Sequence, residues 1–307
     1  MQPPASPRDA DARALLAMCA GAALIGTNAL MVRWAGVPPT VSAFWRMLFG
    51  GGVLCAWLLL RGRWRRLPAR AWLWCALPAL MFACDLWSWH RSILLVGPGL
   101  ATLLGNTQVF FLALIGAACF GERLGPRFAF GMALAFAGLW LLLGHGWDAG
   151  GAEFRLGVWL GLLTGLCYSV YTAGLRTAQR RAGDGHAPPL AQVLAIVSLG
   201  SAAVLGGMGA AEGASFRIPD SRSLALLASL ALFGHCLAWV LISRAMQRLP
   251  VALVGLLLLL QPVIAFLLDV ALLGRRTSMG EWCGLGLSLA GIFVASLKGR
   301  TRLPEPA

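Results

Sequence analysis

The chain has 307 residues, 59% of them hydrophobic and only 12% charged, with a formal net charge of +13. That charged share is about half the usual share of a water-soluble domain, so it cannot cover a solvated surface, and lipid has to be the solvent. In a soluble protein such a basic balance would point to nucleic acid. Here the arginines fall between apolar runs, where topology signals belong, and that reading is set aside.

At about 20 apolar residues per crossing, runs bounded by Arg, Pro or Gly predict ten transmembrane helices, at 14–33, 40–60, 71–93, 99–120, 126–144, 155–175, 188–208, 222–246, 250–273 and 279–297. Residues 1–13 contain acids and precede a run with no small-residue cleavage site, so they read as a tail before a retained helix, not a removed signal peptide. The first helix carries Asn28, the second Arg46 and the third Asp85. Trp87, Trp89 and His90 end the third, where an aromatic belt is expected. Asn106 and Gln108 lie in the fourth. Two connections have polar length, Gly144–Glu153 and Gly209–Asp220, and neither can hold a soluble domain. In the sixth helix Gly157, Gly161 and Gly165 recur every four residues and offer a smooth face for close packing. The same helix holds both tyrosines, Tyr168 and Tyr171, with Ser169 and Thr172. His235 lies in the eighth, and Gln261 and Asp269 in the ninth, the latter near its outer end.

The segment from Leu103 to Gly138 aligns without gaps on the segment from Leu256 to Gly291, matching Gln108 to Gln261, Gly121 to Gly274, Arg123 to Arg276, Gly131 to Gly284 and Gly138 to Gly291. Five helices per copy is an odd number, so the copies enter the membrane in opposite directions. Such inverted repeats place a substrate site near the midplane between the halves. The fold expected is all-α and integral to the membrane: a tail at 1–13, repeats at 14–144 and 155–297, an external linker at 145–154 and a tail at 298–307. With the N-terminus inside, 17 of the 25 basic residues fall on the cytoplasmic side and 7 outside, the bias that retention of basic loops produces. Both termini are then cytoplasmic.

Ile25-Gly26-Thr27-Asn28, Phe44-Trp45-Arg46 and Phe120-Gly121-Glu122-Arg123-Leu124, together with the duplication, resemble the EamA-type ten-helix members of the drug/metabolite transporter superfamily over about residues 14–297. That family often has a proline in the fourth helix of each repeat. Here Gln261-Pro262 has it and Thr107-Gln108-Val109 does not. The resemblance implies an inner-membrane carrier of amino acids or similar metabolites, often an exporter, with import of a vitamin or other metabolite as the alternative.

Ionisable groups within the bilayer are costly and mark functional candidates. Arg46 and Asp85 fall at similar depth on successive helices and are expected to pair, with Asn28 nearby, either lining a cavity or fixing helix register. Gln108 and Gln261 offer amides at equivalent positions, with Asn106 about one turn from Gln108. Tyr168 and Tyr171 suit a ligand with an apolar body and polar ends, and His235 is the titratable group of the eighth helix. The candidate binding residues are thus Asn28, Arg46, Asp85, Asn106, Gln108, Tyr168, Tyr171, His235 and Gln261. The eight cysteines lie in apolar runs with no CxxC pair and read as packing residues, so no metal or other cofactor is expected. No P-loop, HExxH or nucleophile elbow occurs, and an enzyme is not expected. The partners expected are a small-molecule substrate and the lipid bilayer; a monomer suffices and a dimer is compatible. A channel or a non-transporting membrane interaction protein is the reading from another class.

Overall fold

A computed structural model describes residues 7–120, 124–181, 190–246, 248–249 and 251–297. The corner Gly121-Glu122-Arg123 and the tail at 298–307 lie outside the described residues. The described part is helical: α1 (Pro7–Trp34), α2 (Pro39–Leu60), α3 (Ala69–Val96), α4 (Pro98–Gly105), α5 (Gln108–Phe120), α6 (Pro126–Ala149), α7 (Gly151–Arg181), α8 (Leu190–Ala211), α9 (Ser221–Ala231), a π-helical turn (Leu232–Leu237), α10 (Ala238–Met246), α11 (Val251–Leu258), α12 (Leu260–Leu273) and α13 (Met279–Ser296). Ten spans among the described residues are long and apolar enough to cross a membrane, with α9, the π turn and α10 forming one of them.

The connection expected at 145–154 is almost absent. α6 continues to Ala149, and α7 begins at Gly151, whose φ of 65° is open to glycine at little cost. The third span runs to Val96, beyond the expected end at 93, and His90 is buried within it while Trp87 and Trp89 are half-buried.

The inverted repeat is visible in the packing. α6 lies antiparallel to α13, and the backbones meet at glycines: a Cβ on Gly131 would stand 2.6 Å from the Gly291 carbonyl oxygen, and one on Gly284 would stand 2.7 Å from that of Gly138. These two contacts exchange under the repeat. Ser288 Oγ donates to the Ala135 carbonyl at 3.2 Å, and 135 and 288 are themselves equivalent positions, so this bond lies on the pseudo-twofold axis. Small residues let helices approach this closely where lipid offers no hydrophobic drive to associate.

Both repeats interrupt their fourth helix at the same place. Asn106 (φ −69°, ψ −10°) separates α4 from α5, and its equivalent Leu259 (φ −68°, ψ −10°) separates α11 from α12. The chemistry differs. In the second repeat Pro262 has no N–H to give the Leu258 carbonyl, and the ladder fails there. In the first, Asn106 Nδ2 donates at 2.8 Å to the Thr102 carbonyl, which keeps its ladder bond from the Asn106 N–H at 3.2 Å, whereas the Leu104 carbonyl is taken by Thr107 Oγ1 at 2.6 Å and the Thr107 N–H at 3.1 Å, bonds that compete with the helix ladder. Absence of the first proline therefore does not remove the break.

The glycine stripe on α7 packs as expected. Cβ atoms on Gly157 and Gly161 would fall 2.6 Å and 2.7 Å from the Cβ atoms of Leu95 and Leu104, and one on Gly165 would fall 3.0 Å from the Gln108 nitrogen.

Candidate functional site

α1, α2, α3, α7 and the π turn converge on a buried polar centre. Arg46 is 6% exposed and Asp85 4%. Tyr168 and Tyr171 lie within electrostatic reach of both, and His235 within reach of Arg46. The expected Arg46–Asp85 ion pair is not formed: among the described residues the ion pairs within 4.0 Å are Arg91–Glu212, Arg275–Asp269 and Arg275–Glu281. The Arg46 guanidinium instead lies over the Trp89 ring at 5.5 Å, a cation–π distance, and its Nε and Nη1 have no hydrogen-bond partner.

The aromatic wall is built on α3 and α7. Phe82 stacks on Tyr171 at 4.3 Å and 11°, and on His235 at 6.1 Å and 28°. Tyr168 meets Tyr171 edge-on at 5.4 Å. His235 projects from the π turn, where one extra residue per turn re-aims side chains, a feature frequent at functional sites. The turn is held from α1 by Asn28, whose Nδ2 donates to the Gly234 carbonyl at 3.2 Å. Room for the imidazole comes from α2, where a Cβ on Gly50 would stand 2.8 Å from His235 Cδ2. Its Nε2 faces Ser198 Oγ at 3.1 Å.

Asn28, Arg46, Asp85, Tyr168, Tyr171 and His235 thus share one centre; the other three candidates belong to the helix breaks. Asn106 is engaged within α4. Gln108 and Gln261 open α5 and α12, where the Gln108 nitrogen and the Gln261 carbonyl each stand 3.0 Å from a Cβ built on Gly165 and Gly26 respectively. Asp269 does not reach an interface: it is 3% exposed, accepts from the Gly99 N–H at 3.3 Å at the start of α4, and pairs with Arg275 at 3.5 Å.

His90 corrects the interfacial expectation most clearly. It is 0% exposed and within electrostatic reach of Arg46, and its ring nitrogens make no well-formed hydrogen bond, the Pro39 carbonyl being the backbone acceptor beside them. Trp89 and Phe82 were also missed, although they lie four residues after and three before Asp85, on its face of the helix. Nothing in the sequence singles out Ser198. Among the described residues, every buried side-chain polar atom without a partner belongs to Asn28, Ser42, Arg46, Ser88, His90 or His235. Buried polar groups are nearly always satisfied, so their concentration in this one region is informative.

The bundle is closed beyond this centre on the face where α1 passes to α2. Arg91 pairs with Glu212 at 2.7 Å; Thr40 Oγ1 and Trp87 Nε1 donate to the same carboxylate at 2.6 Å and 2.8 Å; and Arg91 lies 4.0 Å over the Trp87 ring. Burial opposes the Glu212 carboxylate, but the Thr40 and Trp87 hydrogen bonds and the Arg91 charge outweigh it and hold its carboxyl below the ordinary value. The following loop is tied down by Trp45 Nε1, which donates to the Phe216 carbonyl at 3.1 Å. Toward the α2–α3 face, a cavity of about 220 Å³ lined by Leu54, Leu194, Cys236, Trp239, Arg244 and other side chains reaches His235.

The model of the EamA-like transporter family matches residues 12–144 and again 155–297. The chain belongs to the EamA-like transporter family. This EamA-like transporter is 32% identical over 225 residues to the chloramphenicol-sensitive protein RarD of Pseudomonas aeruginosa, covering 71% of the chain and 69% of that protein. It is 26% identical over 283 residues to the uncharacterized transporter YwfM of Bacillus subtilis, covering 90% of each. A protein of known crystal structure superposes with a TM-score of 0.64 at 25% identity, over 92% of this chain and 96% of the other. An EamA-like transporter of ten apolar helices is a multi-pass membrane protein that moves small molecules.

Proposed function

We propose that this EamA-like transporter is a secondary or facilitative carrier of a small organic metabolite, an amino acid or similar, exported by alternating access between repeats at 14–144 and 155–297. The cluster of unpartnered polar atoms around Arg46 carries the reading. A buried guanidinium with two free donors is a poor way to fix helix register, because the desolvation cost is left uncompensated. It suits a solute group that brings the missing acceptors, with Asp85 and His235 available to its other end and Phe82, Tyr168 and Tyr171 to its apolar body.

One side of α2 supports one-sided access. Ser42, Arg46, Gly50 and Leu54 recur every four residues, a stripe of about 18 Å at ~1.5 Å per residue, running from the closed face through the polar centre to the 220 Å³ cavity. The bias of basic residues supports a cytoplasmic location for both termini and the open face, at an inner membrane, the orientation in which an exporter loads. Counterflow in proteoliposomes tests the reading: substrate on the far side accelerates exchange through a carrier, and its failure to do so would move the protein to the channel class. Substrate is found by comparing metabolites of cells with and without the protein, followed by uptake into vesicles.

A further inference from the structure

The repeats differ in one respect that bears on ligand binding. In the first, α2 packs directly on α3; in the second, the equivalent α8 barely touches the rod formed by α9, the π turn and α10. The gap between them is the 220 Å³ cavity, backed by Leu54 of α2 and reaching His235. We propose that this gap is a binding site for a small amphipathic monoanion, an apolar body bearing one carboxylate, admitted from the α2–α3 face.

Three observations set the ligand's chemistry. The walls are apolar, from Leu54, Leu190, Leu194, Trp239 and Val240. Arg244 is the one charged residue among the described lining, and no aspartate or glutamate accompanies it, so an anion is favoured and a cation repelled; its planar fork suits a carboxylate bidentately. At the floor, His235 is 2% exposed, its Nε2 is engaged by Ser198 and its buried Nδ1 has no partner, one unsatisfied polar atom in a residue of the cavity wall. The volume is below the ~300–1,000 Å³ of drug-sized sites, which limits the body to roughly a single ring with a short chain. Arg244 and His235 are nine residues apart, about 13 Å along the rod at ~1.5 Å per residue. Arg46 lies beyond His235 within electrostatic reach. A carboxylate taken up at Arg244 thus meets a second polar group and then a second cation as it moves inward. The site extends the carrier pathway but is tested by binding, independently of flux.

Cys236 is a reporter already in the wall. The full chain in phosphatidylcholine nanodiscs is treated with N-ethylmaleimide, and alkylation of each cysteine is followed by mass spectrometry. Phenylacetate at about four times its Kd is expected to slow Cys236 alkylation about five-fold and to leave the exposed Cys283 unaffected. Phenylacetamide and phenethylammonium are expected to protect less than two-fold at the same concentration, and Arg244→Gln to remove the protection by phenylacetate. If Cys236 itself reacts too slowly to follow, Leu190→Cys on the exposed rim is the reporter. The proposal is overturned by absence of protection, by equal protection from the amide, or by protection that survives Arg244→Gln. It is also overturned if phosphatidylglycerol alone protects fully and phenylacetate adds nothing, which would make the gap a lipid site.

Discussion

At the scale of single residues, the centre is expensive to bury and should be sensitive to small changes. A hydrogen bond to a charged group is worth about 1.5–3 kcal/mol, so Arg46→Gln and Asp85→Asn are each expected to lower transport roughly 10–100-fold at sub-saturating substrate, with membrane expression retained. Near-normal flux in both would return the two residues to a purely structural role. Gly50 tests the imidazole without touching its chemistry. A Cβ there would stand 2.8 Å from His235 Cδ2, so Gly50→Ala displaces the ring and is expected to lower flux by less than His235→Phe, while Gly52→Ala, where a Cβ meets nothing within 4 Å, leaves it unchanged. Much of this centre was legible in the sequence, because intramembrane Asn28, Arg46, Asp85, Tyr168, Tyr171 and His235 are conspicuous against apolar runs. His90 was not, because hydropathy ends the third span a turn too early, and burial depends on where α3 really stops.

At the scale of elements, the breaks and the crossings can be tested separately. Thr107→Val removes the side-chain bond to the Leu104 carbonyl, the acceptor that the Gln108 N–H would take in an unbroken helix; a change of about 0.5–1.5 kcal/mol in stability, the net worth of an ordinary hydrogen bond, is expected in a denaturant or thermal melt in detergent. A straightened α4–α5 would also move Gln108 away from Gly165, and a change in flux larger than the change in stability would show that the break serves function. Gly138→Val puts side-chain atoms into the α13 backbone and is expected to cost about 1–3 kcal/mol, as overpacking does, whereas Gly144→Val meets open space and should be silent in the same melt. The sequence carried the number of helices and the Gly131–Gly284 and Gly138–Gly291 equivalences. It did not reveal that Thr107 does the work of a missing proline, since a carbonyl-seeking side chain and a proline have no residue pattern in common.

At the scale of the whole molecule, the closed face is held by one carboxylate serving three side chains of α2 and α3. Glu212→Gln keeps the shape and removes the charge, and is expected to raise the labelling rate of a Ser88→Cys reporter behind the closure while leaving a Ser198→Cys reporter on the other side unchanged. Equal acceleration at both would mean general loosening instead of a gate. The pH dependence has a definite sign. The Glu212 carboxyl titrates below its ordinary value of 4.5, so its contribution to closure is fully present above that value and is lost as the pH falls through the depressed one; because the thiolate fraction itself falls with pH, the readout is the ratio of Ser88→Cys labelling with Glu212 to that with Glu212→Gln at the same pH, which should stay flat and below one from neutral pH down to about 4.5 and rise toward one below it. The partnership of Glu212 with Arg91, Thr40 and Trp87 was not readable beforehand, because a residue just past the end of α8 and residues of α2 and α3 more than a hundred positions away share no periodicity that would pair them.

The hydrogen bond from Ser288 to Ala135 has a consequence for how the halves trade places. If each repeat adopts the shape the other now has, every asymmetric contact is replaced by its counterpart, but a contact between equivalent positions maps onto itself. The crossing of positions 135 and 288 is then the fulcrum, although the hydroxyl bond itself has no mirror because Ala135 carries no donor: a pair of spin labels on α6 and α13 beside it should read one distance throughout the transport cycle, while pairs placed toward either end of the same two helices should read two.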